Sequence, residues 1–187
     1  MILPIYAYGN SILRKESEEI DKDYPELDNL IKDMFETMEK AGGIGLAAPQ
    51  IGKSIRLIVI NSKEMSSDFP EEGLEEFKRV FINPIIEEEF GKDFTFREGC
   101  LSLPRVSEEI TRPSKIIMTW FDEEWNLHEE EFTGIKARIL QHEYDHLEGV
   151  MWIDKVAPLR RKLLQSKLDK ISKGKVHHSY PMKFPKV

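Results

Sequence analysis

The run Gln141-His142-Glu143-Tyr144-Asp145-His146-Leu147-Glu148-Gly149 sets two histidines four residues apart, with a carboxylate directly after the first. On a helix turning about 100° per residue, both imidazoles return to one face about one turn apart, roughly 5 to 6 Å between Cβ atoms, so both reach one ion. This H-E-x-x-H pattern belongs to metal-dependent hydrolases. Glu143 lies one step round the helix, poorly placed as a ligand but able to take a proton from a water on an open coordination position. A third ligand must come from elsewhere. Downstream the chain offers Glu148, Asp154, His177 and His178; upstream it offers its only cysteine, Cys100, in Glu98-Gly99-Cys100-Leu101-Ser102. A lone thiol without a disulfide partner calls for a reason, and metal ligation is one.

The elements that must hold these groups can be read from periodicity. Over residues 25–41, Leu27, Leu30, Ile31, Met34, Phe35 and Met38 recur at three- and four-residue steps behind an early proline, and Gly42-Gly43 follows, so a helix with a glycine stop is expected. A glycine-rich stretch, Gly43-Ile44-Gly45-Leu46-Ala47-Ala48-Pro49-Gln50, then begins where that helix ends. Residues 56–61, 79–83, 97–102 and 115–122 read as strands, and 127–132 alternates as an exposed strand does. Between the first two, the acidic stretch 62–78 reads as a surface loop with a short helix over 72–77 and no chemistry. Residues 134–147 form the metal helix, buried because Ile135, Ile139, Leu140 and Leu147 share it with the histidines. Strands and helices do not alternate strictly. The expected class is therefore α+β, with mixed or antiparallel sheets packed around a central metal-binding helix and a C-terminal helix beyond it.

Composition and charge narrow the classes. A chain of 187 residues with 40% hydrophobic content suits one domain over 1–187 with a proper core. One cysteine excludes an internal disulfide and fits a reducing, cytoplasmic setting. The opening Met1-Ile2-Leu3-Pro4-Ile5 lacks the basic region and apolar run of a signal peptide. No stretch approaches the roughly 20 apolar residues of a membrane span, and neither membrane nor DNA is expected as a partner. Charge is lopsided: residues 157–187 hold nine Lys or Arg against one acid, +8 in a chain of net −7, which leaves −15 for residues 1–156. Leu159, Leu163, Leu164, Leu168 and Ile171 fall at helical spacing among Arg160, Arg161, Lys162, Lys167 and Lys170. That reads as an amphipathic basic helix, packing its leucines on the body, with contact to RNA phosphates as the sharper alternative.

Three clusters, G-x-G-x-A-A-x-Q at 43–50, E-G-C-L-S at 98–102 and Q-H-E-x-D-H-x-x-G at 141–149, stand in this order. In them the chain closely resembles the peptide deformylase family of bacterial type, from its start to about residue 165. The resemblance implies a hydrolase of linear amides that removes the N-formyl group from the N-terminal formylmethionine of newly made polypeptides and releases formate, a step of protein biosynthesis. It implies Cys100, His142 and His146 as ligands of one divalent ion, with a fourth position left for water as in a catalytic site. Ferrous iron is the expected metal, with nickel, cobalt or zinc possible in preparations. A thiolate ligand makes the ion a weaker Lewis acid than a His2Glu set would, and one open to oxidation.

By the same resemblance, Glu143 moves the proton, while the Gln50 amide and the Leu101 N–H stabilise the oxyanion, each such donor contributing roughly 3 kcal/mol in a transition state. Gly45 is placed with these catalytic residues. Gly43, Ile44, Gly99, Ile135, Arg138 and Ile139 are assigned to substrate; Gly43 and Gly45, without Cβ, let a substrate strand come close, and the isoleucines are candidates for the methionine pocket. Arg138 has two expected positions, paired with Glu98 or lining the pocket mouth. Glu98 and Arg112 match an ion pair of the family, and Asp145 is expected to hold a ligand or a neighbouring stretch of backbone rather than act on substrate. Nascent N-formylmethionyl peptides are the expected partners, with a ribosome contact through the C-terminal helix. Ser107 stands about where many members carry a basic residue, which Arg105 could replace. His177, His178 and the stretch 179–187 receive no role. The rival reading is an H-E-x-x-H metallopeptidase, which needs a different third ligand.

Overall fold

The computed structural model describes residues 1–186. In chain order its main elements are β1 (Ile5–Tyr6), α1 (Leu27–Lys40), β2 (Gly45–Ala47), β3 (Leu57–Asn61), β4 (Lys78–Cys100), β5 (Leu103–Phe121), β6 (Leu127–Thr133), α2 (Gly134–Leu147), α3 (Pro158–Ser172) and β7 (Met182–Lys183). Strands β2 to β6 form one antiparallel sheet in sequence order, and β1 pairs with β7 in parallel. The class is α+β, as expected.

Helix α1 buries Leu27, Ile31, Met34 and Met38 at the spacing that predicts it. Its end is a Schellman turn. Gly43 donates to the carbonyl of Met38 and Gly42 to that of Glu39, with Gly42 at φ 71°, so the chain is turned straight into the buried strand β2. There Gly45 pairs with Ile60 and Ala47 with Ile58.

Three predicted short strands are in fact parts of two long ones. Residues 79–83 and 97–102 belong to the single strand β4, and 115–122 is largely the end of β5. Pro84, Gly91, Pro113 and the run Glu87-Glu88-Glu89 break the hydrophobic alternation between them. The ladder crosses this stretch on its solvated face, and register shifts between Ile82 and Ile85, Ile86 and Glu88, and Phe90 and Asp93 absorb the irregularity.

The acidic stretch 62–78 is also more than a surface loop. Instead of a helix over 72–77 it has short 3-10 turns at Lys63–Met65 and Pro70–Glu72, and it buries Leu74 and Phe77 in the core. Its Glu72 carboxylate accepts the Ile135 N–H at 3.2 Å and lies against Gly134. An anion thus meets the positive end of α2, where no other acid stands in the first turn.

Helix α2 spans the residues predicted for it and runs through the centre, burying Ile135, Ala137, Ile139, Leu140 and Leu147 against Ile58, Ile60, Phe81 and Phe132 of the sheet. Helix α3 packs Leu164, Leu168 and Ile171 beside Leu103, Trp152 and Ile153. Leu159 and Leu163 do not join them: they are 76% and 66% exposed. Among the described residues no helix is long and apolar enough to cross a membrane.

Candidate active site

Strands β4 and β5 are joined by a tight tip, Leu101-Ser102, with Cys100 pairing across it to Leu103. The register slips between Gly99 and Cys100, so Cys100 is re-aimed at the end of the strand. It faces α2. Its Sγ lies 3.3 Å from Nε2 of His146, and one ligand atom from each of Cys100, His142 and His146 falls within 4.8 Å of the other two. The alternative third ligands are engaged elsewhere: Glu148 with Arg56, Asp154 with Arg14, His177 with Arg105, and His178 with the Tyr180 carbonyl.

The histidines are oriented from behind. His142 donates from Nδ1 to Glu98 at 2.9 Å, which leaves Nε2 free to face the thiol and fixes the tautomer a metal needs. Glu98 is itself gripped by Arg112 at 2.7 and 3.0 Å and by Arg138 at 3.0 Å. Burial works against the Glu98 anion, but the His142 and Arg112 hydrogen bonds hold its carboxyl well below the usual carboxylate range. Arg112 also reaches Asp145 at 2.7 Å, so Asp145 steadies the ligand system through an arginine rather than touching it. The His146 pKa is lowered as well, its protonated form disfavoured first by burial and then by the charge of His142.

Glu143 is 4% exposed, and burial pushes its carboxyl up to about 7, opposed by His142 and reinforced by Glu98. A cation held by the adjoining ligands would act in the same sense as the His142 charge, favouring the carboxylate. Its Oε2 and the Nδ1 of His146 are buried without hydrogen-bond partners. Such orphaned groups are rare unless a site is built to use them. One thiol, two imidazoles and a partnerless carboxylate oxygen beside them fit a divalent ion with an open position.

Gln50 lies on a 3-10 turn after β2. Its Oε1 accepts the Ala47 N–H at 2.9 Å, which commits Nε2 to face Cys100 Sγ at 3.5 Å and Ser102 Oγ at 3.3 Å. These groups border a cavity of about 690 Å³, whose walls include Gly43, Ile44, Gly99, Leu101, Ile135, Ile139 and Glu143. Gly99 faces open space, as a backbone contact for a ligand requires.

Two expectations change. Arg138 is not free for substrate: it is 2% exposed, bonded to Glu98 and to the Ile110 carbonyl at 2.9 Å, with its guanidinium 4.3 Å from the Phe94 ring centre. Of its two expected positions it takes the Glu98 pair and also borders the cavity. Gly45 is needed for a different reason than a passing substrate strand, since an added Cβ would lie 2.5 Å from Oε1 of Glu143. The sequence reading missed His177, His178, Ser179 and Tyr180, which form one wall of the cavity. The signal was present: Tyr180, Met182 and Phe184 alternate with polar or turn residues as a short strand does.

The polypeptide deformylase family model matches residues 2–162. The chain belongs to that family. Among curated members it is similar to the peptide deformylase of Christiangramia forsetii, 46% identical over 190 residues, covering 99% of this chain and 97% of the relative. The peptide deformylase of Cytophaga hutchinsonii is 45% identical over 185 residues, covering 99% and 98%. Among solved structures, the plant peptide deformylase PDF1B superposes with a TM-score of 0.81 at 34% identity, covering 97% of this chain and 96% of its own. A peptide deformylase from Legionella pneumophila gives 0.80 at 35% identity, covering 96% and 100%. The family match stops before the tail that walls the cavity.

Proposed function

We propose that this chain hydrolyses the N-formyl group of N-formylmethionyl nascent peptides, releasing formate and a free amino terminus. The observation that carries the reading is the convergence of Cys100, His142 and His146 within 4.8 Å beside a buried, partnerless carboxylate oxygen of Glu143. We assign Cys100, His142 and His146 as ligands of one divalent ion, ferrous iron in the cell. When bound, the ion supplies Lewis acidity toward the formyl carbonyl and acidifies water.

The chain's own residues do the rest. Glu143 takes a proton from the attacking water, holds it on its carboxylate, and returns it to the departing amine nitrogen as the C–N bond breaks. The Gln50 amide, held by Ala47, and the Leu101 N–H at the hairpin tip donate to the formyl oxygen as charge builds on it. Glu98 keeps His142 in the tautomer that presents Nε2. Ile44, Ile135 and Ile139 receive the methionine side chain, while Gly43 and Gly99 let substrate backbone approach. Burial of Glu143 and the apolar isoleucines excludes bulk water.

A cytoplasmic location and a ribosome contact belong to this reading. The outer face of α3 supports the contact, because Lys162, Lys167 and Lys170 are exposed beside Leu159 and Leu163. Arg160 and Arg161 are engaged by Glu108 and Asp154.

The test is formate release from N-formyl-Met-Ala-Ser by anaerobically prepared protein carrying ferrous iron or nickel, run beside Glu143→Ala with metal content measured for both. Release that is lost in the variant at equal metal content supports the assignment. No release from the fully metallated wild type overturns it.

A further inference from the structure

The chain beyond α3 doubles back over the cavity. A second Schellman turn, with Lys175 donating to Lys170 and Gly174 to Ile171, reverses its direction. Residues 181–183 are then fixed to the opposite end of the sequence. Ile5 donates to the Pro181 carbonyl at 2.9 Å, Ala7 to that of Lys183 at 2.9 Å, and Asn10 reaches the same Lys183 oxygen from its side chain. Held at both ends, the strap delivers Tyr180 to the hairpin tip, where its hydroxyl donates to the Leu101 carbonyl at 2.8 Å.

We infer that Tyr180 is a positioning residue for the reaction proposed above, holding the Leu101–Ser102 peptide and through it the backbone of Leu101, whose N–H that reaction assigns to the formyl oxygen. The tip is short, and its two residues are held from three directions. Gln50 grips Ser102 on one side. The Leu101 side chain packs so closely on Gly43 that a Cβ there would lie 2.7 Å from its Cδ1. Tyr180 holds the carbonyl of the same residue, which fixes the 101–102 peptide plane and, through the Leu101 Cα, restricts the preceding plane that carries its N–H. The hydroxyl is suited to this, because burial and then the Cys100 charge both disfavour its ionisation and keep it a donor. The role depends on the deformylase reading only for its consequence in catalysis; the hydrogen bond itself can be tested independently.

The experiment uses the full chain and Tyr180→Phe, which keeps the ring and removes only the hydroxyl. Tyr6→Phe is the control, removing a hydroxyl that accepts from Lys183 away from the cavity and leaving the backbone pairing that anchors the strap intact. Formate release from N-formyl-Met-Ala-Ser is read with metal content and thermal midpoint, and amide hydrogen exchange over residues 100–103 is read on metal-free protein. Expected for Tyr180→Phe is a kcat lower by about fivefold, the scale of one lost hydrogen bond, with KM and metal content unchanged and exchange at the tip faster. Tyr6→Phe should match wild type in each. Unchanged kcat in Tyr180→Phe, or a loss that follows its metal content, overturns the inference. If wild type itself releases no formate, the functional reading fails, and faster exchange in Tyr180→Phe still supports the positioning bond while unchanged exchange removes it.

Discussion

Gly45→Ala is the sharpest probe of how the proton-transfer group is held. The three atoms nearest an added Cβ are all from Glu143: Oε1 at 2.5 Å and Cδ and Cγ at 2.8 Å, where ordinary contact begins at 3.4 Å. The backbone of Gly45 is paired in β2 and does not have positive φ, so alanine meets no conformational strain there. Strand β2 is locked between the sheet and α2, and the Glu143 side chain must yield. The shortfall is 3.4 less 2.8, about 0.6 Å, at Cδ and Cγ and 3.4 less 2.5, about 0.9 Å, at Oε1. Misplacing a reacting group by about 1 Å costs on the order of 100-fold, so kcat should fall between about 10- and 100-fold. That corresponds to roughly 1.4 to 2.7 kcal/mol of transition-state stabilisation. The same overpacking should lower folding stability by about 1 to 3 kcal/mol. Steady-state formate release, metal analysis and urea unfolding report the three quantities. A Gly45→Ala protein with full metal and kcat within twofold of wild type would refute the claim that this glycine exists to seat Glu143.

Glu98→Gln should be costly for stability as well as for metal binding. The glutamate is 5% exposed and answers Arg112, Arg138 and His142 together, so its loss leaves two buried guanidinium groups undercompensated. A destabilisation of about 3 to 5 kcal/mol is expected in chemical unfolding, with metal affinity weaker by roughly 10- to 100-fold in a chelator competition; a variant within 1 kcal/mol of wild type by the first measure contradicts the geometry. Asp154→Asn tests a pH effect remote from the cavity. Burial raises the Asp154 pKa, but Arg14 and the Met151 N–H bring it below the usual value, so its ionised form stabilises the fold above the unfolded pKa and that contribution fades as pH falls through the folded one. Wild type should therefore exceed the variant by about 1 kcal/mol near neutrality, and the gap should close in acid, as followed by thermal melts from pH 7 to pH 3; a gap that widens in acid reverses the sign and refutes the assignment.

The chemistry was more legible in the sequence than the architecture that frames it. Helix α2 could be read to its ends because ligands and core residues share one 3.6-residue period. Cys100 needed the surrounding E-G-C-L-S motif, since a lone thiol has no periodicity to declare its direction. The length of β4 was hidden because its middle is largely solvated, buries its apolar residues only in part, and is interrupted by Pro84, Gly91 and the Glu87-Glu88-Glu89 run, which break the apolar alternation. Glu72 illustrates another limit. Its service to the start of α2 comes from a contact across 63 positions, in a stretch whose acidity resembles that of any surface loop. Arg138 shares the helix with the ligands, but whether it met Glu98 or the solvent depended on where a strand 40 residues away lay.

The parallel pairing of β1 with β7 also has a kinetic side. Tyr6 and Lys183, which meet there, are 177 positions apart, so this closure carries the entropy cost of a very long loop and belongs among the slowest contacts to form. The cavity wall containing Tyr180 cannot exist on a chain still being synthesised short of that strand. The last wall of the cleft is thus made from the last residues of the sequence to be synthesised, and it closes only by pairing with the first.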